Sequence, residues 1–97
     1  MYEISYHKLV LKDDLEKVSL SEQKRILKIL EKKLSFNPET FGKPLRKKLK
    51  GYYRLRIDPF RVVYKIDGNR VKVFVLKIGM RRNAEVYVDA AKRLGLI

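Results

Sequence analysis

The chain has no cysteine among its 97 residues. That removes disulfides, zinc–thiolate sites and thiol nucleophiles together. A single histidine and the lack of any acidic cluster leave little with which to hold a metal ion. No apolar run approaches the roughly 20 residues of a membrane-spanning helix, and no signal-peptide pattern opens the chain. Acidic side chains are scarce as well: 11 Asp and Glu stand against 24 Lys and Arg, a formal charge of +13. What is present is a 45% share of hydrophobic residues, enough to bury a core and too much for a disordered basic tail. The length leaves room for one domain, residues 1–97. The expectation is a small soluble cytoplasmic domain with no membrane contact and a polyanionic or acidic partner.

The charge is unevenly placed. Residues 1–40 hold eight basic and seven acidic side chains, whereas residues 41–97 hold sixteen and four. Between positions 43 and 61, Lys43, Arg46, Lys47, Lys48, Lys50, Arg54, Arg56 and Arg61 face Asp58 alone. Charge runs usually form a solvated face. Here the basic residues interleave with tyrosines on a strand-like stretch that lacks counter-charge, which points to a surface for phosphates.

The first half reads as a strand and two helices. Tyr2, Ile4 and Tyr6 alternate with polar residues, the period of a half-buried strand. Leu11, Leu15 and Val18 recur at helical spacing and predict a helix from about Lys8 to Val18. Ser19 with Glu22 is a capping-box spacing that opens a second helix, with Ile26, Leu27, Leu30 and Leu34 on its apolar face and Asn37-Pro38 to end it. In the second half, Tyr53, Leu55 and Ile57 point one way on a strand while Tyr52, Arg54 and Arg56 point the other. Asp58-Pro59 turns into a strand over 61–66, and Asp67-Gly68 is a hairpin signal. The run from Val71 to Ile78 then reads as a central strand, and 84–94 as a short terminal helix. The expected fold is α+β, in the order β-α-α-β-β-β with a short C-terminal helix, an antiparallel sheet packed on the N-terminal helical hairpin.

On this reading Arg54, Arg56 and Arg61 converge on the uncovered sheet face, with Arg81 just beyond the last strand. Several guanidiniums from different strands would grip a phosphate bidentately. Arg82, Lys92 and Arg93, taken singly, read as surface charges. Tyr53 and Tyr64 belong in the core by alternation, and His7 reads as structural or exposed. Glu85 lies close to Tyr87 and could serve as a base, though an acid favoured at a helix start is the plainer reading.

The stretches Gly42-Lys43-Pro44-Leu45, Leu49-Lys50-Gly51-Tyr52-Tyr53-Arg54-Leu55-Arg56 and Phe60-Arg61-Val62-Val63-Tyr64 resemble the RelE/ParE toxin superfamily. The ending Gly79-Met80-Arg81-Arg82-Asn83-Ala84-Glu85-Val86-Tyr87 resembles its RelE branch, Arg81 and Tyr87 tilting the choice that way. The resemblance implies a RelE-like fold and a ribosome-dependent messenger-RNA endonuclease without cofactor or metal, in which the RNA's own 2′-hydroxyl attacks the neighbouring phosphorus. It implies that Arg54 and Arg56 lie at the scissile phosphate, that Arg61 and Arg81 stabilise its charge, Arg81 also donating a proton, and that Tyr87 orients the nucleotide. Lys43, Arg46, Lys47, Lys48 and Lys50 are then expected on ribosomal RNA backbone, with Arg82 beside them. It also implies a RelB-like antitoxin, often two copies of each chain, that brings the pair to operator DNA.

Two departures stand out. The strand pair is often lysine in RelE proteins, one of which is the proposed general base, and a guanidinium is a poor base near neutrality. Met80 stands where histidine is common in relatives. Two other classes of function compete: a ParE-like inhibitor of DNA gyrase without RNA-cutting residues, and a non-catalytic nucleic-acid-binding module.

Overall fold

Ser19 sets where the long helix begins. Its side chain accepts the backbone N–H of Glu22 at 3.3 Å, so one of the orphan donors of the first turn is satisfied. The computed structural model describes residues 1–82 and 84–97; Asn83, part of the ending that carries the family resemblance, lies outside them. Helix α1 spans Leu20–Leu34 and buries Ile26, Leu30 and Leu34, four residues apart on one stripe. It stops before Asn37-Pro38, and Pro38 instead opens a single further turn, α2 (Pro38–Phe41), because its missing N–H costs nothing at a first helical position.

Strand β1 (Glu3–Tyr6) precedes these helices, and β2 (Lys43–Pro44), β3 (Tyr53–Ile57), β4 (Phe60–Asp67) and β5 (Lys72–Met80) follow. The sheet order is β1-β5-β4-β3-β2. From β2 to β5 it is antiparallel as expected, but β1 adds to the edge parallel to β5. The chain between β1 and β5 carries it across the core face and back, which is what a parallel neighbour requires. One face holds Leu55, Ile57, Phe60, Val62, Tyr64, Val73, Val75 and Ile78 against α1. Tyr64 is fully buried, stacks on Tyr53 with centroids 5.6 Å apart, and donates to the Pro38 carbonyl at 2.5 Å. Burial raises its phenol well above the ordinary range, the neighbouring Tyr53 adding to the shift.

The first helix departs from expectation. Residues Val10–Asp14 form a π-helical turn and Leu15–Lys17 a 3₁₀ turn. The wider turn rotates the stripe, so Leu11 is exposed while Val10, Asp14 and Leu15 are buried. The second surprise is on the far face. Helix α3 (Glu85–Arg93) packs across it, burying Val86, Ala90 and Ala91, so only part of that face stays open. It crosses so closely over Gly79 that an added Cβ there would come within 3.0 Å of Val86 Cγ2.

Candidate active site

Arg54 and Arg56 sit two residues apart on β3, which by strand period puts both on the face away from the core. Antiparallel register then pairs Arg56 with Arg61 of β4, and Arg61 with Gly79 of β5. The backbone N–H of Arg81 donates to the Pro59 carbonyl at 3.0 Å, which ties the end of β5 to the β3–β4 turn. These three constraints bring Arg54, Arg56, Arg61 and Arg81 into one cleft of about 810 Å³, walled on its other side by Ala84, Glu85, Val86 and Tyr87 at the start of α3. The four arginines expected at the phosphate and the tyrosine expected to orient the nucleotide all line it, and Arg82 lines it too.

Arg61 is held differently from the rest. Its side chain is only 4% exposed, and Nη1 donates to the 76%-exposed Asp58 carboxylate and to the Phe60 carbonyl, both at 2.9 Å. Both of these bonds use Nη1, and Nε and Nη2 donate to no other group among the described residues. Asp58 itself sits on the turn that Arg25 of α1 reaches, donating from Nη2 to the Asp58 carbonyl at 2.9 Å while bonding Glu22 at 2.7 and 3.1 Å. The Arg25 hydrogen bond holds the Glu22 carboxyl below its usual range.

The wall carrying Tyr87 is fastened by a buried ion cluster. Beyond Val75 strand β1 no longer covers the edge of β5, and the Asp14 carboxylate takes the Ile78 N–H there at 2.8 Å. Lys77 donates to it at 3.2 Å, and Arg93 donates through both terminal nitrogens at 2.8 and 2.9 Å. Arg93 also takes the Leu76 carbonyl at 2.9 Å, where a bulge interrupts the β4–β5 ladder. The Asp14 side chain is 1% exposed. Burial pushes its carboxyl upward, and the Arg93 and Ile78 hydrogen bonds with the charges of Lys77 and Arg93 outweigh that, for a net position below the usual carboxylate range. Arg93 is therefore a buried anchor for α3 rather than a surface charge.

Outside the cleft lining, Lys43 lies opposite Arg54 on β2, and Arg46, Lys47, Lys48 and Lys50 flank the buried Leu49 on the next turn, all exposed. Met80 faces a neighbouring cavity on the other side of α3. His7 is structural: its Nδ1 accepts the Leu9 N–H at 3.1 Å. Glu85 does lie beside Tyr87 in the cleft, whereas nothing local in the sequence placed Asp14 on Arg93. Asp58 three residues before Arg61 was a readable signal for the tether, since a tight turn brings such a pair together.

Among the described residues, the cleft presents five guanidiniums, one carboxylate and one phenol. Such an arrangement is chemically suited to gripping a phosphodiester and to stabilising a further negative charge on it.

Comparison with known proteins agrees. A sequence model of the family described as the ParE toxin of the type II toxin–antitoxin system parDE matches residues 4–85. The mRNA interferase toxin RelE of Escherichia coli K12 is 33% identical over 72 residues, 74% of this chain and 72% of that protein. In the toxin–antitoxin complex RelBE2 of Mycobacterium tuberculosis, a chain 28% identical superposes with a TM-score of 0.77, over 82% of this chain and 91% of its own. A chain of the archaeal RelE–RelB complex from Pyrococcus horikoshii does so at 26% identity with a TM-score of 0.66, over 86% and 98%. A strand-borne arginine pair, a matching fold and relatives on both sides of the superfamily lead to one placement: the chain belongs to the RelE/ParE family of toxins from type II toxin–antitoxin systems, and is of the RelE type.

Proposed function

We propose that residues 1–97 act as a single toxin domain that cuts messenger RNA in the ribosomal A site. The observation that supports this most is the convergence of Arg54, Arg56, Arg61, Arg81 and Tyr87 on one cleft, from two strands, a strand end and a helix start. The reaction is transfer of the phosphoryl group to the RNA's own 2′-hydroxyl. It leaves a 2′,3′-cyclic phosphate and a 5′-hydroxyl, and it needs no protein nucleophile.

Each side chain has a task in that scheme. Arg54 and Arg56 hold the scissile phosphate's non-bridging oxygens, and Arg61, its orientation fixed by Asp58, adds charge stabilisation as the phosphorane forms. Arg81 stabilises the same charge and protonates the departing 5′-oxygen. Tyr87 stacks on or orients the nucleotide, and Lys43, Arg46, Lys47, Lys48, Lys50 and Arg82 bind RNA backbone on the ribosome. Chemistry of this kind requires no metal or cofactor, since the arginines supply the cationic charge. Ribosomal positioning of message and toxin supplies part of the barrier reduction, of which well-oriented reactants can provide about 7–11 kcal/mol.

The natural partner is a RelB-like antitoxin, assembled with the toxin as a heterotetramer in the cytoplasm and joined to operator DNA only through that complex. A chain of +13 charge favours such an acidic partner. The ParE family match carries the competing reading, inhibition of DNA gyrase, in which Arg81 and Tyr87 have no assigned work.

A message with one 2′-deoxynucleotide on the 5′ side of the cut tests the chemistry. Cutting should vanish at that codon and persist at others, with cyclic-phosphate ends wherever it occurs. Cutting that continues through the deoxynucleotide would refute self-attack by the RNA.

A further inference from the structure

Arginine at both strand positions leaves the proposed reaction without an evident base. A proton must leave the 2′-oxygen as it attacks, and guanidiniums, which stay protonated to above about pH 12, do not take it. Apart from its five arginines, the cleft lining offers Ala84, Glu85, Val86 and Tyr87. A phenol ordinarily ionises near pH 10, so its neutral form is a weak acceptor of protons at neutrality. Glu85 is the cleft's one carboxylate among the described residues.

Glu85 is also available. It is exposed, and among the described residues it forms no ion pair, in contrast to Glu22 and Asp14 nearby. Its place is fixed by the backbone, its own N–H donating to the Arg82 carbonyl at 2.7 Å as α3 begins. The charged groups around it are Arg54 and Arg56 from β3, Arg61 from β4, and Arg81 and Arg82 after β5, on the cleft side. Glu85 and Arg82 also border the cavity on the other side of α3's first turn, whose further charged groups are Asp14, Lys17, Glu22, Lys77 and Asp89.

We propose that Glu85 is the general base of this toxin, taking the proton from the attacking 2′-hydroxyl in place of the lysine common in relatives. This rests on the endonuclease reading above. The 2′-oxygen's electron pair forms the new bond to phosphorus while its proton passes to the Glu85 carboxylate. The P–O5′ bond breaks with its pair on the 5′-oxygen, which takes a proton from the Arg81 guanidinium. Solvent then removes the proton from Glu85 and restores the one on Arg81.

The test is single-turnover cutting of a defined message on purified ribosomes by wild type, Glu85→Gln, Glu85→Ala and Arg81→Ala. Glu85→Gln keeps the shape and removes the base, so the cutting rate should fall by about 10²- to 10⁴-fold while ribosome binding and thermal melting stay near wild type. Added formate should restore part of the rate to Glu85→Ala and none to Arg81→Ala. Glu85→Gln cutting within threefold of wild type, while Arg81→Ala fails, would overturn the role of Glu85 and leave the endonuclease reading standing. A wild-type chain that cuts nothing overturns that reading, and the role of Glu85 with it.

Discussion

Replacing Lys47, Lys48 and Lys50 together by glutamine removes three exposed cations from one turn while keeping the buried Leu49 that anchors it. None of the three makes an ion pair among the described residues, so each is free to displace a counterion from RNA. Each phosphate contact contributes roughly 0.7 to the slope of log affinity against log salt on single strands, so three contribute about 2. Over a fourfold rise in salt, from about 50 to 200 mM, wild type should therefore lose about 20-fold more affinity than the triple variant. The assay is titration of labelled protein with purified ribosomes, in an Arg81→Ala background so that no message is cut, with potassium chloride varied at constant magnesium. Lys24, Lys28 and Lys32, exposed on α1, make the control: their replacement should leave the slope unchanged. A triple variant at 47, 48 and 50 with the wild-type slope would refute backbone contact by that turn.

Other perturbations test the scaffold. Gly42→Ala would place a Cβ inside the space of the Tyr64 hydroxyl and 2.8 Å from the Arg54 carbonyl. Overpacking of that kind costs about 1–3 kcal/mol, visible as a fall of about 4–8 °C per kcal/mol in a melt of a domain this size. Asp14→Ala leaves Lys77 and Arg93 as buried cations without their counter-ion, at a cost of about 3–5 kcal/mol, whereas Arg93→Ala leaves the Lys77–Asp14 pair and costs less. Asp14 also gives a pH signature. Its folded carboxyl lies below the unfolded value near 4, so its contribution is complete above that value and is lost as the pH falls through the folded one. Melting temperatures between pH 7 and 3 should fall less steeply in Asp14→Asn than in wild type.

Alternation and capping were legible because they depend on neighbours in sequence. Leu55 and Ile57 faced the core opposite Arg54 and Arg56 as the period of two requires, and Ser19 capped α1. The arginine cleft followed from that alternation plus one tight turn, so most of the candidate site could be located before any coordinates. What escaped depended on contacts between residues distant in the chain. Nothing in the helical spacing of Leu11, Leu15 and Val18 marks Asp14 for burial, and only the π-helical turn rotates it inward onto an N–H that β1 leaves uncovered. Arg93 looked like one more surface cation because its partner lies 79 residues away. The packing of α3 over Gly79, which puts Glu85 and Tyr87 on the cleft wall, has no local signature either, since a glycine in a strand marks several kinds of close approach. The parallel placement of β1 is likewise decided by the chain's return path and not by its alternating residues.

The central claim is that the arginine cleft cuts message on the ribosome. The most direct test is primer-extension mapping of a defined messenger RNA in a translating extract, comparing wild type with Arg81→Ala of matched thermal stability. The account predicts cuts within codons occupying the A site, none in ribosome-free RNA, and none with Arg81→Ala. Intact message with translation unimpaired, or equal cutting by Arg81→Ala, would contradict it.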